Sequence, residues 1–358
     1  MTVGIHAQAL FKNPVTGIEQ YARQIIPRIL NYSDARGHRF VLYAKPPVVS
    51  LPFSGVHVTL KTLNFPLVWT QLRLSWEMRI RPPDVLFVPG QALPRIVPAH
   101  TVVTIHGLEF EHVPKCYSFW QRNYLRFVTH DAVRRATHII AVSGATKKDL
   151  QERYGVNPQK ISVIHHGVIP LACSRTLLAD PPFFIFVGRL TFQKNVDGLI
   201  RAFTIFKKQT GLPHRLVLVG TPGFGYQKMR DAFKTSFSRD DIVPTGYVPD
   251  SIRAQLLSGA AALVLPSWAE GFGMPILEAQ VAGVPVICSN VTAMPEVAGE
   301  GALCVPPGND EALADALGRI ATEPELSLHL VAKGSKNVQR FSWDRSAQET
   351  LRVLVNNK

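Results

Sequence analysis

Cysteine is scarce in this sequence. Four occur in 358 residues, Cys116, Cys173, Cys288 and Cys304, with no C-x-x-C spacing. That pattern excludes a zinc ribbon and a small disulfide-stapled fold, and it sets a reducing, cytoplasmic setting as the expectation. Long apolar runs are missing too, since no stretch approaches the ~18–20 residues of a membrane-spanning helix. The start, Met-Thr-Val-Gly-Ile-His-Ala, reads as a first strand, without the basic start and long apolar stretch of a secretory leader. No Asp-x-Asp pair appears, so a dedicated carboxylate site for a divalent cation is not expected. Internal repeats and low-complexity tracts are also lacking.

Acidic residues are outnumbered, 26 Asp and Glu against 39 Lys and Arg, for a net charge of +13. The surplus is uneven: residues 1–170 carry 20 Lys and Arg against 9 Asp and Glu, an excess of 11, whereas the remainder carry an excess of only 2. A basic first half favours anionic partners: a phosphate-bearing acceptor, an acidic membrane surface or a nucleic acid. With 46% hydrophobic and 18% charged residues the composition is that of an ordinary globular protein, and the length suits two domains.

Short apolar strands alternate with longer amphipathic segments, the pattern of parallel α/β sheets. The first series of predicted strands is Val3–Ala7, Arg39–Tyr43, Val85–Val88, Thr101–Ile105, His138–Val142 and Ser162–Ile164. The stretch 169–183 lacks periodicity, holds three prolines and reads as a linker. A second series follows at Phe183–Val187, Leu216–Val219, Ala262–Leu265, Val284–Cys288 and Leu303–Val305, with predicted helices at Val196–Thr210, Pro275–Ala282 and Asp310–Ala321. The expected organisation is one domain over 1–170, a second over 171–341 and a final helix within 342–358. Two such sheets imply a cleft between them, a favoured ligand position.

The most informative run is Pro-Ser-Trp-Ala-Glu-Gly-Phe-Gly-Met-Pro-Ile-Leu-Glu-Ala, residues 266–279. An apolar strand feeds the turn Gly271-Phe272-Gly273, and Pro275 stands where a helix begins. Main-chain N–H groups of such a turn converge at a helix N-terminus, a site for phosphate or a hydroxyl-rich ligand. Glu270 precedes the helix and Glu278 lies about one turn inside it, so the two carboxylates address different parts of one ligand. A second site is Phe-Val-Gly-Arg-Leu-Thr-Phe-Gln-Lys-Asn, 186–195, where Gly188 permits a tight turn and Arg189 and Lys194 project two cations. Asp197 reads as the cap of the following helix, and Ser143 as the cap of another, with Lys147 and Lys148 exposed.

This constellation resembles the E-x7-E signature of nucleotide-sugar-dependent retaining glycosyltransferases with the GT-B fold, glycosyltransferase family 4. The resemblance implies an α/β chain of two Rossmann-like parallel-sheet domains facing a cleft, with the terminal helix crossing back onto the first. It implies that Glu270 holds hydroxyls of the donor sugar, aided by the N–H groups of Gly271, Phe272 and Gly273 and with Met274 completing the turn. Glu278 is implied to take the ribose hydroxyls, and Arg189 and Lys194 the diphosphate. Gly246-Tyr247-Val248-Pro249 resembles the loop at the base, with Tyr247 or Val248 against the ring. Gly17, before the predicted helix 18–30, matches a phosphate-approach glycine, although only Gly17 and Tyr21 of the longer family run are present. His106 matches a histidine that contacts the transferred sugar, with Gly107 standing where the family usually has Asp. Glu109 and Glu111 read as solvent or acceptor contacts.

The resulting expectation is transfer of a hexose, with mannose favoured and GDP-mannose the leading donor, to a hydroxyl acceptor with retention, in cell-surface polysaccharide or glycolipid synthesis. No cofactor or metal is expected beyond the nucleotide sugar. UDP-glucose or another UDP-sugar remains an alternative donor; a GT-B phosphorylase, an epimerase and a basic nucleic-acid-binding protein remain alternative functions. Two stretches rich in cations and aromatics, 67–81 and 119–127, read either as core helices or as helices lying on anionic lipid. The second reading implies peripheral contact with the inner face of a membrane that carries a lipid-linked or phosphorylated acceptor.

Overall fold

The structure is a computed structural model that describes residues 1–12, 17–32, 37–48, 57–65, 67–169 and 180–356. Most of the predicted linker, 170–179, and Cys173 within it lie outside the described residues. The chain forms two compact units, one of Met1–Leu108, Phe119–Gly167 and Ser342–Lys358, the other of Glu109–Ser118 and Val168–Phe341.

In the first unit the described strands are β1 (Thr2–His6), β2 (Arg39–Ala44), β3 (Val58–Thr62), β4 (Val85–Val88), β5 (His100–Ile105), β6 (His138–Ala141) and β7 (Ile161–Val163). They form one parallel sheet in the order β3-β2-β1-β4-β5-β6-β7. The central strands β4 and β6 are buried at every position, as continuous apolar runs covered by helices on both faces must be. The sequence pattern missed β3. Val-Thr-Leu-Lys-Thr is half-exposed throughout because it is an edge strand, so no apolar run marks it.

The second unit repeats the plan with β8 (Phe183–Val187), β9 (Arg215–Val219), β10 (Ile242–Gly246), β11 (Ala262–Leu265), β12 (Val286–Ser289) and β13 (Ala302–Val305), ordered β10-β9-β8-β11-β12-β13. The strand missed here, β10, is again at an edge and contains Pro244, which an edge tolerates and a centre does not. The reversal of strand order falls between β8 and β11, which places the C-terminal ends of those strands where a parallel sheet binds ligands.

The last helix, Trp343–Asn356, belongs to the first unit. Arg28 bonds Asp344 at 3.0 Å, the Tyr32 hydroxyl donates to the Asp344 carbonyl at 2.6 Å, and Ser346 Oγ donates to the His165 carbonyl at 2.5 Å. Close approach at this seam requires Gly167, where a Cβ would stand 2.0 Å from the Trp343 nitrogen. The His166 ring stacks between Tyr21, 5.1 Å away, and Trp343, 5.4 Å away, while His106 meets Tyr21 edge-on at 4.8 Å.

These rings are held neutral. Burial pushes His6 and His106 down to about 4 and His166 well below the ordinary histidine value. The unfolded chain protonates its imidazoles below about 6.5, so the stability they allow at neutral pH is lost as the pH falls from about 6.5 toward 4. Urea unfolding at pH 7 and pH 5 checks this: at pH 5 unfolding takes up roughly one proton per ring. His166→Phe keeps a stacked aromatic and removes a titrating one, so it should reduce the acid sensitivity; an unchanged pH slope would contradict the assignment.

Candidate functional site

The chemistry-bearing side chains of the second unit collect at the C-terminal ends of neighbouring strands. β11 ends at Leu265, and the following loop, 266–273, is tied to the segment after β8 by a two-rung ladder. Trp268 N donates to the Gln193 carbonyl at 2.9 Å, and Gln193 Nε2 donates to the Ala269 carbonyl at 2.9 Å. Asn195, in left-handed backbone with φ 53°, adds a bond from Nδ2 to the Pro266 carbonyl at 3.2 Å. With 193 and 195 both anchored to this loop, Lys194 is delivered beside Glu270: Nζ lies 2.5 Å from Oε1. Ser267 Oγ donates to the same oxygen at 2.6 Å. The main chain of Glu270 is held as well, its N–H donating to Thr292 Oγ1 at 3.0 Å.

The Glu270 side chain is almost buried and that of Lys194 mostly so. An ion pair so shielded is costly to break, because removing one partner leaves the other charge uncompensated. Its geometry places a carboxylate, which accepts hydroxyl protons, next to an ammonium, which attracts phosphate oxygens. The loop continues through Gly271, buried Phe272 and Gly273 into the helix Met274–Val281. Gly273 caps that helix at φ 101°, a conformation that glycine adopts at little cost. Pro275 sits in the first turn, as its position in the sequence suggests.

Glu278 lies on this helix and ion-pairs through Oε2 with Arg253. Burial raises the Glu278 carboxyl above the usual range, with Arg253 pulling the other way. Arg253 was not singled out by the sequence; it stands on the helix Asp250–Ser258, and no local motif marks it. Ser267 and Thr292 were likewise unmarked, the second because its contact spans 22 residues.

The turns after β8, β9 and β10 touch one another. Gly188 N donates to the Val219 carbonyl at 3.0 Å, and Gly220 N to the Gly246 carbonyl at 2.9 Å. A Cβ on Gly220, whose φ is 147°, would stand 1.8 Å from the Gly188 oxygen, so the two turns meet only because the residue is glycine. This brings Gly188 and the Gly246-Tyr247-Val248 turn onto one edge of the unit, with Tyr247 strongly exposed. Arg189 is exposed and runs along Gly223, where a Cβ would come within 3.0 Å of its Nε. Its described contacts are therefore with the 220–225 loop, whereas Lys194 is the cation that reaches Glu270.

Three readings of individual residues are corrected. Glu109 is not a plain solvent contact: it is half-buried and its Oε1 accepts the Gly271 N–H at 2.8 Å. Burial, and then the neighbouring Glu270 charge, raise its carboxyl, against the pull of its own N–H, Lys194 and Gly271. Asp197 does not cap its helix; Asn195 occupies the cap position, and Asp197 in the first turn pairs with Arg201 at 3.1 Å. Lys147 is half-buried and bonds the Ile161 carbonyl at 3.2 Å, while Ser143 does cap its helix by accepting Thr146 N at 3.1 Å.

In the first unit, His106 follows β5 and its Nε2 lies 3.2 Å from the Pro89 carbonyl. Gly107 takes φ 150°, which explains glycine in place of a larger residue there. Gly17 opens the helix Gly17–Asn31 and is exposed, and in the first turn of that helix the buried Glu19 pairs with Lys12 at 3.0 Å. Among the described residues no group of His, Cys, Asp and Glu is arranged to hold a metal ion, and no helix is long and apolar enough to cross a membrane.

Comparison with known proteins bears on the whole chain. The model of the family described as Glycosyltransferase Family 4 matches residues 15–170, and that described as Glycosyl transferases group 1 matches residues 174–337. The chain is 24% identical to O-antigen chain mannosyltransferase B of Escherichia coli, across 97% of this chain and 98% of that protein. Among solved structures, sucrose-phosphate synthase of Thermosynechococcus elongatus superposes with a TM-score of 0.76 at 20% identity, covering 99% of this chain and 98% of the other. HepE of Anabaena, solved with UDP and glucose, superposes with a TM-score of 0.72 at 18% identity, covering 99% and 98%. With two family models meeting across the linker and the fold shared end to end, the chain belongs to the family 4 glycosyltransferases of GT-B fold.

Proposed function

We propose that this glycosyltransferase moves a hexose, with mannose favoured, from a nucleoside diphosphate sugar to a hydroxyl acceptor with retention of configuration, in cell-surface polysaccharide synthesis. The observation that carries the reading is the Lys194–Glu270 pair, fixed by the Gln193 ladder at the end of β11. In this reading Glu270 and the N–H groups of Phe272 and Gly273 take hydroxyls of the sugar. Lys194 and Arg189 take the diphosphate, Glu278 the ribose, and the Tyr247-Val248 turn the base. As the bond from sugar to phosphate breaks, negative charge grows on the leaving diphosphate, and a cation already in place stabilises it without reorganisation. His106, held neutral by burial, is assigned a hydrogen-bonding role toward the transferred sugar. GDP-mannose is the favoured donor, in line with the full-length similarity to an O-antigen mannosyltransferase; a UDP-sugar is the second reading. Lys194 and Arg189 supply the charge that a divalent cation supplies elsewhere, so the reaction is proposed to be independent of metal.

The acceptor is proposed to be lipid-linked or phosphorylated and to be met at an anionic bilayer. Both cation- and aromatic-rich helices are exposed rather than central. Leu72, Trp76 and Ile80 lie exposed along residues 70–80, and Trp120, Tyr124 and Phe127 along the helix Phe119–Arg135. The crossovers β3 to β4 and β5 to β6 step in the same direction across the sheet, so right-handed connections put both helices on one face. The two helices grip the same loop: Gln71 Nε2 bonds the Leu93 carbonyl at 2.8 Å, Arg95 N bonds Ser75 Oγ at 2.7 Å, and Arg135 Nη1 bonds the carbonyls of Pro94 and Arg95 at 2.9 and 3.0 Å. The acids of these helices, Glu77 and Asp131, are held by Lys61 and Arg73 and by Arg135. The face therefore presents aromatic groups and cations together, which matches an anionic lipid surface.

A panel of GDP- and UDP-sugars, scored by nucleotide release and thermal shift, tests the donor. Release of GDP from GDP-mannose, undiminished by EDTA, is expected; an absolute requirement for Mg²⁺ or Mn²⁺, or no turnover of any donor, contradicts the reading. Lys194→Ala and Glu270→Ala should each lower kcat by on the order of 10²–10³ with an unchanged circular dichroism spectrum, and full activity in both would remove the assigned site. Sedimentation with anionic vesicles should capture the intact protein and fail with neutral ones. Capture should weaken on neutralising Arg122 and Arg126, and absence of binding by the intact protein would dismiss the bilayer contact.

A further inference from the structure

The segment Glu109–Ser118 groups with the second unit, and two of its side chains hold the elements that position the Lys194–Glu270 pair. Glu109 Oε1 accepts the N–H of Gly271, next to Glu270, at 2.8 Å. The Tyr117 hydroxyl donates to Gln193 Oε1 at 3.1 Å, beside Lys194. Between them Phe110 is buried and meets Tyr117 edge-on at 6.3 Å, so the segment is a folded piece with its own apolar contact. The result is a second carboxyl group, Glu109, bonded to the residue next to Glu270 and within electrostatic reach of Glu270 and Lys194, although it lies 161 residues from Glu270 in the chain.

We infer that Glu109 is a specificity-determining residue at the sugar end of the donor site, where it and Glu270 clasp different hydroxyls of the transferred sugar; this rests on the nucleotide-sugar reading above. A hexose differs from its epimers in the direction of one hydroxyl, and a single carboxylate does not fix that direction. Two carboxylates held at fixed positions do. Glu270 is fixed by Ser267, Lys194 and Thr292, and Glu109 is fixed through Gly271. Its own N–H and that of Gly271 take two acceptor sites of the Glu109 carboxyl; an ionised carboxyl has about four, and those remaining can receive hydroxyl protons. Acceptance at both oxygens, with the strength that a charge adds, requires the ionised form. Because burial and the Glu270 charge raise this carboxyl, its contribution is lost on acidification at a pH above that of an ordinary glutamate.

Glu109→Gln and Glu109→Ala test this in the full-length protein, using the sugar nucleotide best turned over by the wild type, an epimer of it, and the matching free nucleoside diphosphate. The expected result is a loss of roughly 10- to 100-fold in kcat/KM for the best donor, as for a hydrogen bond to a charged group. Preference over the epimer should shrink, while the Kd of the free nucleoside diphosphate stays unchanged. Wild-type kcat/KM should fall on acidification, and that limb should be missing in Glu109→Gln. Equal weakening of free nucleotide and sugar nucleotide would mean that Glu109 only braces the Gly271 loop, and unchanged epimer preference would likewise overturn the inference. A wild type that turns over no sugar nucleotide removes both readings, whereas a wild type active on one while the variants behave like it removes only this one.

Discussion

The pairing of Lys194 with Glu270 is the constraint around which the second unit is arranged. Neither side chain is well solvated, so each needs the other. Glu270 sits nearly buried in a loop that must leave β11 at once, and without a cation its charge would destabilise that loop by several kcal/mol. The cation comes from the turn after β8, a strand hydrogen-bonded to β11. Gln193 on one side and Asn195 on the other bind the loop's carbonyls, so the ammonium is set in place by backbone contacts before any charge interaction counts. Ser267 and Thr292 then complete the shell of the carboxylate and of its main-chain N–H.

The same construction explains why glycine recurs at the strand ends. Gly220 permits two turns to touch, and Gly223 lets the Arg189 side chain lie across the loop. At both the requirement is space for a neighbour, and at Gly188 and Gly220 it is a backbone angle that side chains disfavour. The edge so formed carries exposed polar and aromatic groups on turns, while the strands beneath are closed apolar runs. This separates a rigid support from the groups available for binding.

In the first unit an aromatic stack has the corresponding part. Tyr21, His166 and Trp343 come from the first helix, the segment after β7 and the last helix, and they fill the seam where Gly167 meets the terminal helix. Neutral imidazoles serve there as flat aromatic rings whose protonation burial opposes. The outer helices follow a different rule. Their acids Glu77 and Asp131 are paired with Lys61, Arg73 or Arg135, while indole, phenol and alkyl groups stand exposed on the same helices as the exposed Arg79 and Arg126. For that reason hydropathy alone did not say whether residues 67–81 and 119–127 were core or surface.

What the sequence determined by itself were the features written in short range: the buried strands as apolar runs, the turn Gly271-Phe272-Gly273, Pro275 at the helix start, and the spacing of Glu270 and Glu278. Those depend on neighbours within a few residues, and local sterics decide them. The edge strands β3 and β10 escaped because edges carry mixed polarity. Tertiary structure alone decided that Lys194 reaches Glu270 while Arg189 lies along another loop, that Arg253 takes Glu278, and that Glu109 turns inward onto Gly271. Each of those is a contact across 25 to 162 residues. No periodicity or motif encodes such a pairing; it exists only once strand order has brought distant turns to the same edge of the sheet.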